Sequence, residues 1–186
     1  MIFFLSDIFG VTDIKKKVWQ DALNEDIQFI SPYQMLDTKP IIKNYSSFME
    51  LVGLDKYSNY IWEKITKTNC KQIVLIGESV GATALWMLSM RFEKQCDVFL
   101  FCLYGSRIRD YLHIKPKCNV NLYFSLDESV LRYSEKLKIL KKNNIVKINF
   151  LNLRHGFATP GNECFSSSPF NEIVSEINGV LSCRPE

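Results

Sequence analysis

The sequence predicts a three-layer α/β/α sandwich around a six-stranded parallel sheet, because short β-branched and aromatic runs alternate with longer segments of helical periodicity. The chain has 186 residues, of which 47% are apolar and 23% are charged, as expected for one globular domain. We find no linker, internal repeat or low-complexity tract in it. We therefore expect residues 1–186 to fold as a single domain.

Six segments have the composition and length of strands. They are residues 2–6, 27–30, 72–76, 98–103, 120–124 and 145–150. Residues 44–67 carry two apolar stripes separated near Gly53, which predicts two helices in this crossover. The helix after Ser79 is apolar on nearly every side as far as Arg91, so we expect it to be buried at the centre of the molecule.

The first and last helices are expected to pack against the sheet through apolar stripes. Thr12 can cap the first helix, and Ser168 followed by Pro169 suits the start of the last one. The expected stripes consist of Ile14, Val18, Ala22 and Leu23 in the first helix, and of Phe170, Ile173, Val174, Ile177, Val180 and Leu181 in the last.

The charge distribution and the cysteines indicate which kinds of ligand and which cellular location to expect. The net charge is +3, and the basic residues are scattered instead of forming the block typical of a nucleic-acid binder. Asp7 interrupts the apolar N-terminus, which therefore does not resemble a signal peptide, and no apolar run is as long as a membrane span. Six cysteines without a CxxC pair indicate reduced, packed thiols. We expect a cytoplasmic protein, monomeric or homodimeric, that acts on a small molecule.

The pentapeptide Gly77-Glu78-Ser79-Val80-Gly81 lies between a predicted apolar strand and the predicted buried helix. This arrangement is typical of a nucleophile elbow, in which a sharp turn holds a serine in a strained conformation above the sheet. Small residues two positions before and after the serine avoid clashes with the neighbouring chain. The pattern predicts Ser79 as a nucleophile, whereas a glycine-rich turn with an incidental serine is the structural alternative.

A nucleophilic serine needs a general base, and the chain contains two histidines. His155 lies five residues beyond the last predicted strand, at the carboxyl edge of the sheet, where sites of open α/β folds assemble. His113 lies between the fourth and fifth strands and is interpreted as a surface or loop residue. We therefore predict His155 as the base.

Asp127 is the candidate for the acid that orients the base. It follows the fifth predicted strand, just before a helix, and completes the chain order of serine, acid and histidine that α/β-hydrolases use. Its carboxylate would accept a hydrogen bond from the imidazole and stabilise the imidazolium. Glu128 is the rival acid, and a helix cap is the structural alternative for Asp127.

The oxyanion hole is expected to consist of two backbone N–H groups. One belongs to Val80, directly after the nucleophile, and the other to Ile8, in the loop at residues 7–10 that follows the first strand. We call this segment the oxyanion loop. Asp7 and Phe9 in the same loop are candidates for substrate contact.

With these residues placed, the chain resembles the dienelactone hydrolase family of α/β-hydrolases over most of its length. Residues 6–12 look like that family's acidic-Ile-Phe-Gly turn, residues 103–105 like its Tyr-Gly strand ending, and residues 155–157 like its histidine loop. The resemblance implies that the chain begins at what would be the third strand of the full fold. The resemblance therefore implies a minimal α/β-hydrolase with six strands in the order 2-1-3-4-5-6.

Two positions depart from the pattern of that family. Its founding members have cysteine at the elbow and an acidic residue that pairs with the thiol before substrate binds. Ser79 stands at the elbow here, and Asp7 is the shorter acid. The thiol switch of those members is therefore not carried over to this chain.

The predicted activity is hydrolysis of a small ester, lactone or thioester through an acyl-enzyme on Ser79. Two distant histidines and no clustered carboxylates make a poor metal site, so we expect neither a metal nor an organic cofactor. Arg107 ranks first, before Arg109 and Arg154, as a residue that could bind a substrate carboxylate. Exposure to solvent is the simpler interpretation of each arginine.

Other function classes stay open at this point. The same triad would serve a thioesterase, or an acyltransferase with an acceptor other than water. A catalytically silent binding module with this fold is a further alternative, although such a module has no need of a complete triad. A flavodoxin-like phosphate binder would need a glycine- or hydroxyl-rich loop after the first strand, where Asp7 repels phosphate.

Overall fold

The fold is described from a computed structural model of the chain. The described residues are 1–36, 44–92, 97–125, 137, 138, 140 and 143–183. They contain one six-stranded sheet, in which every pair of neighbouring strands is parallel and the order is β2-β1-β3-β4-β5-β6. The strands are β1 (Ile2–Leu5), β2 (Ile27–Ile30), β3 (Gln72–Glu78), β4 (Asp97–Leu103), β5 (Asn119–Ser125) and β6 (Val146–Leu151). The predicted strands and their order are confirmed.

In the described segments, helices lie between the strands and after the last strand. They are α1 (Asp13–Leu23), α2 (Tyr45–Leu51), α3 (Gly53–Ile65), α4 (Val80–Leu88), a 3-10 helix (Ser106–Tyr111) and α5 (Ser167–Ser182). The predicted break between α2 and α3 occurs at Gly53, whose φ of +75° suits a residue without a side chain. The N-cap of the last helix is Ser166, two residues before the predicted cap Ser168. Pro169 fits there because the first-turn N–H groups of a helix have no intrahelical partner.

Two apolar cores cover the two faces of the sheet, so the molecule has three layers. Alternate residues of β1 enter different cores: Phe3 and Leu5 face α2, α3 and α4, whereas Ile2 and Phe4 face α1 and α5. All four are buried, as expected for a parallel strand with helices on both sides. Helix α4 is buried along nearly its whole length, which confirms its predicted central position.

The apolar stripe predicted for α1 is wrong at its first position. Ile14 is 60% exposed, and the buried residues of this helix are Lys15, Trp19 and Leu23. The rest of the predicted stripe is confirmed, since Leu23 is buried and Val18 and Ala22 are partly buried against the same core. Lys15 is buried because it has carboxylate partners inside the molecule, which hydropathy cannot reveal. Thr12 caps the helix as predicted, because its Oγ1 accepts a hydrogen bond from Lys15 N–H at 3.2 Å.

The register of the sheet brings several strand ends together. Leu5 is paired with Gly77, Glu78 with Leu103, and Leu103 with Tyr123. The loops that follow β1, β3 and β4 therefore leave the sheet side by side at its carboxyl edge, where ligands bind in open α/β folds. None of the helices in the described segments has both the length and the apolar character needed to cross a lipid bilayer.

Candidate active site

Ser79 occupies a strained turn between β3 and α4. Its φ of 51° and ψ of −108° lie outside the regions that residues with a side chain usually adopt. The turn is held on both sides: Ser79 N–H donates to the Leu103 carbonyl at 2.9 Å, and the Ser79 carbonyl accepts from Thr83 N–H at 3.0 Å. The backbone strain, the strand before it and the buried helix after it are the features of a nucleophile elbow.

The two glycines of the elbow allow a close approach of backbone segments. A Cβ at Gly77 would lie 2.7 Å from the Ala82 nitrogen. A Cβ at Gly81 would overlap the Leu5 carbonyl and lie 2.9 Å from the Ser6 carbonyl oxygen. The start of α4 therefore packs directly on the end of β1, immediately before the oxyanion loop.

Gly81→Ala is expected to lower the free energy of unfolding by about 1–3 kcal/mol or more, because the new methyl group overlaps backbone that cannot move independently. The matched control is Gly179→Ala in α5, where a Cβ would meet nothing within 4 Å. That substitution should stabilise the protein by up to about 1 kcal/mol, since alanine has the higher helix propensity. Chemical denaturation of both variants measures the difference, and equal effects would contradict the close approach.

Hydrogen bonds hold the oxyanion loop in a fixed conformation. The hydroxyl of Tyr33 donates to the Ile8 carbonyl at 2.6 Å. Asp7 Oδ1 accepts from Phe9 N–H at 2.9 Å, and the Asp7 carbonyl accepts from Gly10 N–H at 3.2 Å. These bonds leave the N–H of Ile8 without an acceptor among the described residues.

The N–H of Val80 likewise has no acceptor in the described part of the chain. It is the first N–H of α4, where the positive end of the helix dipole favours negative charge. The two N–H groups predicted to form the oxyanion hole are therefore available, and the packing of Gly81 on Leu5 and Ser6 brings their backbone segments together.

His155 lies at the same edge of the sheet as the elbow. Its imidazole is exposed and packs against the Tyr104 ring, with ring centroids 4.9 Å apart. Tyr104 directly follows Leu103, whose carbonyl accepts the Ser79 N–H. The Ser79 hydroxyl makes no hydrogen bond with the His155 ring or with any other described residue. Catalytic hydrogen bonds are often formed only when substrate binds.

Tyr104 holds the histidine loop through several contacts. The Phe157 ring packs edge-on against it at a centroid distance of 5.2 Å, and its hydroxyl lies 2.5 Å from Thr159 Oγ1. Tyr104 has a positive φ of 42°, which is uncommon for a residue with a large side chain. This backbone conformation, together with the buried ring, ties the end of β4 to the loop that carries His155.

The predicted acid lies outside the described residues, and so does its rival. The structure therefore places Ser79, His155, Ile8 and Val80 at one edge of the sheet, but Asp127 and Glu128 are not described. The role of Asp127 stays a prediction.

A buried charged cluster below the elbow was not predicted from the sequence. The Lys15 ammonium donates to Glu78 Oε2 at 2.6 Å, to the Gly10 carbonyl at 3.2 Å and to Asp7 Oδ2 at 3.4 Å. Lys15 stands in a run of three lysines in α1, where a solvent-exposed face is the usual interpretation. The available signal was a glutamate directly before Ser79, since a carboxylate at the end of a buried central strand needs a cation.

Burial perturbs the pKa values in this cluster. Desolvation raises the pKa of Glu78 to about 7, and the nearby Asp7 carboxylate also raises it. The Lys15 ammonium acts in the opposite direction and lowers this pKa. Desolvation alone would lower the pKa of Lys15, but the carboxylates of Glu78 and Asp7 raise it above its ordinary value. The hydroxyl of Tyr104 is near enough to lower the pKa of Glu78, yet Glu78 Oε1 has no partner at hydrogen-bonding distance in the described residues.

The shift of Glu78 predicts a pH dependence of stability. Its pKa of about 7 in the folded state lies above the ordinary value of 4.5, so between these values the folded chain binds more protons here than the unfolded chain. The contribution of this group to the free energy of unfolding therefore falls as the pH rises from about 4.5 to about 7.

Glu78→Gln should lack this contribution. Urea denaturation across that pH window gives the free energy of unfolding of wild type and variant at each pH. The value for wild type should fall relative to that of Glu78→Gln as the pH rises. Parallel curves would show that Glu78 does not titrate in this range.

The remaining candidates for substrate contact differ in accessibility. Phe9 is 68% exposed on the oxyanion loop, whereas Asp7 is mostly buried and uses both carboxylate oxygens inside the protein. Arg107 pairs with Asp110 at 2.8 Å and lies over the Tyr45 ring at 5.4 Å.

The other two arginines also have partners within the protein. Arg109 donates to the Ser106 carbonyl at 2.9 Å, and Arg154 lies 3.9 Å from Glu163 at the surface.

The described residues contain no group of three or more His, Cys, Asp or Glu side chains arranged to hold a metal ion.

Comparison with known proteins identifies relatives at the level of fold. No model of a known protein family matches the chain. An uncharacterized Bacillus subtilis protein, YczH, is 29% identical over 194 aligned residues, which cover 98% of this chain and 93% of the relative.

Solved structures of hydrolases match nearly the whole chain. A provisionally assigned dienelactone hydrolase from Klebsiella pneumoniae has a TM-score of 0.73 at 10% identity, covering 98% of this chain and 86% of the other. A thioesterase domain from the curacin biosynthetic pathway has a TM-score of 0.61 at 8% identity, covering 98% and 90%. The chain therefore has the α/β-hydrolase fold, and its structural neighbours include a dienelactone hydrolase-like protein.

Proposed function

We propose that the protein is a serine hydrolase that cleaves a small ester, lactone or thioester through an acyl-enzyme on Ser79. The observation that supports this most is the strained elbow, in which a non-glycine residue with φ of 51° is held at the carboxyl edge. Near it are two N–H groups, those of Ile8 and Val80, that have no acceptor among the described residues. Strain of this kind is maintained where the surrounding structure requires it, and it is concentrated at functional sites. The hydrolase, esterase and thioesterase structures that share the fold also support the proposal.

In the proposed reaction His155 removes the proton from Ser79 Oγ as that oxygen attacks the substrate carbonyl carbon. The carbonyl oxygen becomes an oxyanion and accepts hydrogen bonds from the Ile8 and Val80 N–H groups. The tetrahedral intermediate then collapses, the bond to the leaving group breaks, and the imidazolium protonates that group. Asp127 is proposed to orient the imidazole throughout.

Water completes the cycle. His155 removes a proton from a water molecule, which attacks the acyl carbon, and the second tetrahedral intermediate releases the carboxylic acid as Ser79 Oγ regains its proton. Water must reach the acyl-enzyme, and exposure of the imidazole is compatible with this. Phe9 and Arg107 are proposed to contact the substrate, Phe9 through apolar surface and Arg107 through its charge. The cytoplasmic location and the monomeric or homodimeric state stay predictions.

A substrate panel tests the proposal. Purified protein is assayed with p-nitrophenyl acetate and butyrate, a short acyl thioester and an aryl lactone, each against its spontaneous hydrolysis. Turnover of at least one class supports the hydrolase, and the preferred class separates esterase from thioesterase activity. No turnover of any class by folded protein would favour the silent binding module.

A further inference from the structure

Lys15 joins the oxyanion loop to the nucleophile elbow. It is only 2% exposed, and its ammonium donates to Gly10 and Asp7, which are the two ends of the loop. The same ammonium donates at 2.6 Å to Glu78, the residue directly before the nucleophile. One side chain on α1 thus forms bonds with both segments that carry the proposed oxyanion donors.

The two proposed donors belong to different elements, so their separation depends on how the loop is held against the elbow. Ile8 lies in the loop after β1, and Val80 begins α4. The bond from Tyr33 fixes the Ile8 carbonyl, and the bond between Asp7 and Phe9 N–H fixes the loop internally. The bonds of Lys15, in contrast, join the loop to the elbow. They therefore fix the distance between the two segments, and an oxyanion hole requires that this distance be constant.

Stability alone does not account for three charged residues in this place. Burying an ion pair requires removal of water from both groups, and apolar residues of similar volume are often as stable or more so. Directional hydrogen bonds to charged groups, in contrast, fix the relative orientation of the segments that they join. The cluster is better suited to orientation than to stabilisation.

We propose that Lys15 is a positioning residue, which holds the oxyanion loop against the elbow so that the Ile8 and Val80 N–H groups point at the same carbonyl oxygen. The effect of Lys15 on catalysis rests on the proposed function, whereas its effect on the conformation of the oxyanion loop does not. Lys15 acts through Gly10, Asp7 and Glu78 and does not itself contact the reacting atoms.

Kinetics of Lys15→Met test the catalytic part. With p-nitrophenyl acetate, kcat is expected to fall by about 10²-fold while KM changes by less than about threefold, because a displaced donor weakens transition-state stabilisation more than substrate binding. Lys17→Met is the matched control, since Lys17 is an exposed lysine on the same helix and pairs with Asp21 at 2.6 Å. It should keep the wild-type kcat. A wild-type kcat in Lys15→Met overturns the proposal.

Amide hydrogen exchange tests the structural part without any need for activity. The N–H groups of Phe9 and Gly10 are hydrogen-bonded to Asp7, and loss of the charged bonds from Lys15 should speed their exchange by roughly 10- to 100-fold. If the loop amides exchange faster in Lys15→Met but wild type hydrolyses no substrate, the hydrolase proposal is rejected and the structural role of Lys15 is kept. An active wild type whose loop amides are unchanged in Lys15→Met would reject the positioning role and keep the hydrolase.

A double variant separates positioning from mere stabilisation. Lys15→Met combined with Glu78→Met replaces the buried pair by apolar side chains of similar length, so the melting temperature should return towards that of wild type. We expect kcat to stay low in this variant. Recovery of kcat together with stability would overturn the proposal, and the double variant also provides the test if Lys15→Met alone does not fold.

Discussion

Ser79→Ala is expected to lower kcat for ester hydrolysis by roughly 10⁴- to 10⁶-fold, because removal of the proposed nucleophile leaves only binding and the proposed oxyanion hole to accelerate the reaction. Stability should change little. The Ser79 hydroxyl has no hydrogen-bond partner in the described residues, and alanine keeps the Cβ in the same strained backbone. Steady-state kinetics with p-nitrophenyl acetate measure the loss, and the midpoint of chemical denaturation verifies that the variant is folded.

Ser182→Ala is the control for this substitution. Its hydroxyl caps the carbonyl of Asn178 at the exposed end of α5, far along the chain from the elbow. This variant should retain wild-type kcat. Residual hydrolysis in folded Ser79→Ala at more than a few per cent of the wild-type rate would mean that another group is the nucleophile.

His155→Ala is expected to reduce kcat by a factor similar to that of Ser79→Ala, since the serine is a poor nucleophile without a base that removes its proton. The double variant with both substitutions should lose no more activity than either single one, because residues that act as a unit have strongly non-additive effects. The comparison of the three variants in one assay measures whether serine and histidine act together.

His113→Ala is the matched histidine control. His113 is exposed beyond the 3-10 helix, and its ring centroid lies 6.4 Å from that of Tyr111. Activity of this variant should equal that of wild type. If His113→Ala abolished activity and His155→Ala did not, the assignment of the base would be wrong.

The layout of the sheet could be predicted because apolar runs report burial. In a parallel sheet covered on both faces, every residue of a central strand is buried, so β3 and its neighbours stand out as unbroken runs. The elbow could be predicted because a strained turn, in which backbone segments approach closely, requires particular residue types. Gly77 and Gly81 are required where a Cβ would overlap the backbone, and the strand and helix around them supply the context.

The charged cluster could not be predicted, because hydropathy treats a lysine as exposed. Lys15 is buried only because the fold brings Glu78 from β3 and Asp7 from the loop to the same place, 63 and 8 residues away in sequence. For the same reason Ile14 was wrongly predicted to lie in the core, where Lys15 is buried instead. The left-handed conformation of Tyr104 leaves no trace in the sequence either, since it depends on how β4 meets the histidine loop.

The most direct test of the proposed nucleophile is covalent labelling with a fluorophosphonate. Intact-mass analysis of folded wild type should show a single added phosphonyl group, and peptide mapping should locate it on Ser79, the residue held in the elbow. Ser79→Ala should remain unmodified under the same conditions. A label on any other residue, or none on folded wild-type protein, would contradict the assignment of Ser79 as an activated nucleophile.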